Sequence, residues 1–202
     1  MALTAAIATL SNAVVGLLED ARPNTATFRD VRCRLYAPAE LQNPREALGE
    51  VISACVYRVA FNTSRRNQPP RTDPLTGQRY RPSVPVDVYL LVTAWAKDPE
   101  KQLQILGWAI RSLENSPSLP AGFLNRFAGS GPAVFNPDEA VDLVAESVTQ
   151  QDLYTIWQVA PTRQQPSVVY VARMLLLDSD VELGSSGVVQ TRVFDQREIV
   201  VP

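Results

Sequence analysis

Histidine is absent from the chain, and other reactive residues are scarce: two lysines, two cysteines and two methionines in 202 positions. Without histidine there is no Ser-His-Asp or Cys-His arrangement and none of the common zinc sites. The two lysines, Lys97 and Lys101, flank the predicted start of a helix, where surface salt pairing competes with serine–lysine chemistry. The cysteines, Cys33 and Cys55, fall inside predicted strands without CxxC spacing and read as buried free thiols, since free cysteine behaves as a small hydrophobe. No apolar run reaches the roughly 18 residues of a membrane helix. The N-terminus, "MALTAAIATLSNAVVGLLED", lacks the basic region of a signal peptide, which points to synthesis in the cytoplasm.

The composition is that of a soluble globular domain, 46% hydrophobic and 20% charged. A net charge of −2 argues against a general nucleic-acid binder. Seventeen of the nineteen basic residues are arginine, whose planar fork pairs with carboxylates and suits protein interfaces.

Apolar residues at three- and four-residue spacing predict a helix over 3–20, with Leu3, Ile7, Leu10, Val14 and Leu17 or Leu18 on one face. "FRDVRCRLY" (28–36) alternates as a strand with one wet face, and "VISACVYRVAF" (51–61) reads as a central strand covered on both sides. "PVDVYLLVTAWA" (85–96) is a further strand. Asp98-Pro99-Glu100 then starts a helix over 99–114 whose buried face carries Leu103, Leu106, Ile110 and Leu113. Residues 114–132 read as loop with one helical turn, and "AVDLVAES" (140–147) as a strand. Thr149 and Asp152 form a capping box for a helix ending near Trp157. "SVVYVARMLLL" (167–177) is the last long strand, followed by a polar tail with weak strand character at "VVQTRVF" and "EIVVP". This order predicts an α/β (α+β) fold, one mixed β-sheet with flanking helices. The domain spans 1–180, with a tail over 181–202.

No pattern here assembles a catalytic site. The acid pairs Glu19-Asp20 and Asp138-Glu139 lie beside turns and helix ends, and "AGSGP" (128–132) lacks the lysine and context of a phosphate loop, so turn geometry accounts for it. Tyr89, Trp95, Trp108 and Trp157 are core residues by default. Trp95 and Trp157, near element ends, could also anchor a partner. The densest feature is "NTSRRNQPPRTDPLTGQRYRP" (62–82), with five arginines, one acid and four prolines. It is either a solvated surface loop or a contact surface for carboxylates.

Three blocks together resemble a known family. "VISACVYRVAFNTSRRN" is similar to its strand running into an N-x-x-x-R-N corner. "PSVPVDVYLLVTAWAKDPEKQLQILGWAIRSLENSPSL" resembles its tyrosine-bearing strand, acidic cap and following helix. "SVTQQDLYTIWQVAPTRQQPSVVYVARMLLLDSD" resembles its last block, a short helix ending in tryptophan, a Pro-Ser corner and a terminal strand. The family is that of the cap or tube-terminator proteins of contractile injection systems, of the antifeeding-prophage and Photorhabdus virulence-cassette type, and the match covers about residues 3–180. The resemblance implies a phage tail-terminator-like fold and a homohexameric ring seated on the inner tube and sheath proteins, ending their polymerisation. It implies a structural role with no enzymatic activity, no cofactor, no nucleic-acid partner and no membrane insertion, in a particle released or retained.

On this reading the expected partner contacts are Arg65, Arg66, Asn67, Arg71, Arg79, Arg81, Trp95, Trp157, Arg163 and Arg192, facing tube, sheath or a neighbouring subunit. The tail over 188–201 is a candidate for satisfying an open sheet edge. Reversing Arg65 and Arg66 is expected to leave the ring intact and weaken its seating. The alternative is a small adaptor or nucleic-acid-binding module using the 62–82 stretch, recognisable by steep salt dependence.

Overall fold

The two long runs rich in β-branched residues lie side by side at the middle of a single sheet. The computed structural model describes residues 5–42, 49–73, 76–158 and 164–184. Its elements are α1 (Ala6–Asp20), β1 (Arg32–Leu35), β2 (Val51–Phe61), the two-residue strands β3 (Arg71–Thr72) and β4 (Arg79–Tyr80), and β5 (Val84–Trp95). They continue with α2 (Pro99–Glu114), β6 (Ser118–Pro120), α3 (Ala121–Leu124), β7 (Ala140–Glu146), α4 (Gln150–Gln158) and β8 (Ser167–Leu177). Six strands form one sheet in the order β1-β2-β5-β8-β7-β6, while β3 and β4 pair separately. β1 runs parallel to β2 and every other neighbour in the sheet is antiparallel, so the sheet is mixed. The α/β class with flanking helices is the one the element order predicts.

Strand alternation divides the core in two. Val86, Val88, Leu90, Val92 and Ala94 of β5 point to the face covered by Leu10, Val14 and Leu18 of α1 and Ile105, Ala109 and Leu113 of α2. Leu91 and Trp95 point to the other face, where Leu41, Val51, Cys55, Trp157 and Val169 complete a second cluster under α4. Each fully buried leucine on these faces contributes about 1.5–3 kcal/mol. α1 approaches the 3₁₀ turn after α3 closely: a Cβ on Gly16 would sit 2.1 Å from the Phe127 ring. The helix caps are local. Asp98 accepts the Lys101 N–H at 3.0 Å, and Thr149 Oγ1 accepts the Asp152 N–H at 3.1 Å.

Several expectations shift. The strand predicted over 28–36 is β1 alone, because Phe28, Arg29 and Val31 donate their N–H groups back to Thr25 and Phe28 carbonyls in tight turns. The loop over 114–132 also contains β6, which pairs with β7. α2 buries Ile105, Leu106, Ala109 and Leu113, whereas Leu103 is 58% exposed. Gln102 fixes that rotation by donating to the Ala94 carbonyl and Gln165 Oε1 at 2.7 and 3.0 Å. β2 is covered on both faces only over Val51–Cys55, and Val59 and Phe61 are 46% and 69% exposed. The physical reason is length: β2 extends beyond the elements packed on its first half. Gly129, at φ +73°, gives the AGSGP segment its turn.

Candidate partner-binding surface

The arginine stretch begins where β2 ends. Asn62 donates its N–H to the Pro85 carbonyl at 2.9 Å, and its side-chain amide to both oxygens of Asp87 at 3.2 Å. Asp87 Oδ1 also accepts the N–H of Met174 at 2.9 Å. That bond sits at an irregularity in the β5–β8 pairing, and Met174 adopts φ 60°, a left-handed conformation costly for a side chain with a Cβ. One carboxylate thus pins the β2 corner to β5 and β8.

Beyond this pin, the 3₁₀ turn Thr63–Arg65 presents Arg65, Arg66 and Asn67 to solvent. Arg71 does not follow them outward. Its guanidinium stacks on Tyr80 at 4.5 Å, and Nε lies 3.6 Å from Asp178 Oδ2, an ion pair too long for a hydrogen bond. The other oxygen of Asp178 accepts the Ser83 hydroxyl at 2.5 Å. Arg81 N–H donates to the Val181 carbonyl at 3.0 Å and Leu183 N–H to the Arg79 carbonyl at 2.8 Å, so residues 181–183 lie antiparallel along β4. The stretch is therefore a small structured arm of three paired pieces, with Arg79 and Arg81 exposed on it. Its prolines and pairings limit the conformations it must give up on binding.

Trp95 and Trp157 occupy the interior, 2% and 3% exposed. Their rings meet edge-on with centroids 5.9 Å apart, and Trp95 Nε1 donates to Ser53 Oγ at 2.7 Å. Core packing, the default reading, is what the structure shows for both: the pair fastens α4 to the sheet, and neither ring offers an exposed anchor within the chain. Arg163 and Arg192, with the 188–201 tail segment, lie outside the described residues.

The sequence reading missed the apolar neighbours of the arginines. Phe61, Val84, Pro82 and Pro85 line a shallow groove of about 200 Å³ with Arg66. Arg58, also exposed, lies 4.9 Å over the Tyr89 ring on the opposite face of the same strand end. The sequence carried no signal for this, because the nine-residue strand predicted over 28–36 shortens to a four-residue β1 that cannot cover the eleven-residue β2.

Among the described residues there is no group of three or more side chains that could hold a metal ion. Lys101 pairs with Glu50 at 2.6 Å in an open charged recess, the salt pairing expected of a surface lysine. Both cysteines are buried and free. Burial, reinforced by the Glu19 carboxylate, pushes the Cys33 thiol from 9.0 up to about 12. Burial pushes Cys55 up to about 11. Both are held as unreactive thiols at neutral pH.

The fold is a mixed sheet with flanking helices that leaves an apolar, arginine-rich corner exposed. The chain belongs to the Pvc16 N-terminal domain family, whose model matches residues 9–191. Its fold is similar to that of the sheath/tube terminator of an extracellular contractile injection system, PVC, in the extended state. The TM-score is 0.63 at 16% identity, covering 97% of this chain and 65% of that one. It is also similar to the tube-terminating cap of the anti-feeding prophage, with TM-score 0.56 and 18% identity over 91% of this chain and 60% of that chain. The chain therefore spans about two thirds or less of the length of these two structures. No curated protein matches it by sequence. The family suggested by the three sequence blocks is the family found.

Proposed function

We propose that this chain is the terminator subunit of a contractile injection system, a non-enzymatic protein that forms a homohexameric ring on the distal end of inner tube and sheath and stops their growth. The observation that carries the reading is the family match over residues 9–191, joined to a fold shared with two terminators along nearly the whole chain. The surface is suited to such work. Exposed arginines with little nearby acid offer charge-assisted bonds to carboxylates, and in a ring each weak contact is multiplied because engagement of one subunit raises the effective concentration for the next. Assembly in the cytoplasm and incorporation into a tail-like particle follow from the same reading. Among the described residues no helix is long and apolar enough to cross a membrane.

The test is tube growth in vitro. Purified inner-tube protein polymerised with increasing amounts of this chain should give shorter tubes with a density at one end in negative-stain electron microscopy. Tubes of unchanged length with no added density at a tenfold molar excess would overturn the proposal.

A further inference from the structure

The main sheet has two open borders, and they carry opposite charge. The first is the distal half of β2. β1 pairs only with Val51–Ala54, so residues 56–61 have β5 on one side and no strand on the other among the described residues. Since the Asn62 N–H points to β5, the backbone groups of Phe61 and Val59 point away from it, to the vacant side. Their side chains are exposed, as are Arg58, Arg65 and Arg66 around them. Asp87, the acid beside them, is held by Asn62 and Met174.

The contrast with β1 is informative. There the outward Cys33 N–H donates to Glu19 Oε1 at 2.8 Å, and Arg22 donates to the Val31 carbonyl at 2.7 Å, so an ion pair blunts that edge. No comparable cap closes the distal half of β2 among the described residues. A second copy of the same strand would set arginine against arginine, which disfavours a two-fold pairing.

The complementary surface lies at the other border. β6 pairs with Ala140–Asp142, leaving the end of β7 with β8 alone. Asp138 and Asp142 are exposed beside the stretch that β6 covers, Asp142 opposite Arg173 of β8, with no ion pair among the described residues; on the uncovered end, Val144 is exposed. Glu146 and Asp152 add charge. Among the described residues, Arg173 lies 3.5 Å from Glu146 and Arg58 lines one recess with Glu146 and Asp152, which leaves Asp138 and Asp142 as the acids offered to a partner.

We propose that the basic β2 border of one copy docks on the acidic β7 border of the next. Such a contact is heterologous, and its repetition gives a ring when the rotation closes. The inference rests on the terminator reading for having several copies side by side. It replaces the expectation that reversal of Arg65 and Arg66 spares the ring: here that change breaks the ring itself.

Charge exchange tests it. One variant carries Arg65→Glu and Arg66→Glu, and the other Asp138→Lys and Asp142→Lys. All four side chains are exposed, so the far-UV circular dichroism and thermal midpoint should match the wild type. In sedimentation velocity the wild type should assemble, and each variant alone should associate at least about tenfold more weakly, as charge reversal at an interface requires. An equimolar mixture should recover assembly, because each variant keeps one native border and its altered borders attract. Wild-type protein that stays monomeric, either variant assembling like the wild type, or a mixture no better than its parts overturns the inference. Should a reversal unfold the chain, the alanine pairs at the same positions give the same decision. Tube growth separates the two proposals: variants that assemble normally beside a wild type that shortens tubes defeat the border contact alone. A wild type that assembles through these borders yet leaves tubes at full length defeats the terminator reading alone.

Discussion

The two halves of β2 share one apolar run and have opposite fates. Its first half, Val51–Cys55, is enclosed by β1, β5 and clusters on both faces, while the second half projects with Val59 and Phe61 in solvent. Hydrophobicity is similar in the two; coverage differs. The enclosed half carries stability and the projecting half is free to carry contacts, which gives the comparison measurable consequences.

The largest effect is expected from Trp157→Ala, on the α4 helix that covers the enclosed half. It removes one ring of the Trp95–Trp157 pair, and the cavity should cost about 3–5 kcal/mol, read by urea unfolding. A loss below about 1 kcal/mol would mean that α4 is not fastened as described. Asp87→Ala, at the junction of the halves, strands the Asn62 amide and the Met174 N–H. The expected loss is about 1–3 kcal/mol, with faster hydrogen exchange in residues 58–62 than in 51–55. Equal exchange in the two segments would dissolve the distinction.

A pH series addresses the enclosed half together with the β1 strand that covers it. The folded pKa of Cys33 and of Cys55 is raised above 9.0, to about 12 and about 11. Their contribution to stability is therefore complete below pH about 9 and is lost as pH rises through the folded values. The wild type should lose stability between pH 9 and 11 more steeply than the Cys33→Ala, Cys55→Ala variant; parallel curves would show that neither thiol resists ionisation. The smallest effect on folding belongs to Phe61→Ala in the projecting half. It should change stability by no more than about 0.5 kcal/mol while weakening self-association in sedimentation velocity.

Much of the fold was legible because periodicity is a local property. Residues 51–61, 99–114 and 167–177 were bounded as the structure has them. Leu103 was misplaced because helical spacing admits neighbouring faces, and the long-range Gln102–Ala94 and Gln102–Gln165 bonds choose between them. The candidate surface was legible in part. Arg65, Arg66, Arg79 and Arg81 are exposed as expected, whereas Arg71 is drawn inward by Tyr80 and by Asp178, more than a hundred residues away in the chain.

The amino-acid order by itself determined the period and type of each long element, the absence of histidine chemistry and the family blocks. Those depend on neighbours in the chain. Tertiary structure alone decided that both indoles turn inward, that the arginine stretch is a paired arm, and that half of an apolar strand is left bare. Each depends on how far a partner element distant in sequence reaches: β1 stops after four residues, and β2 continues to Phe61.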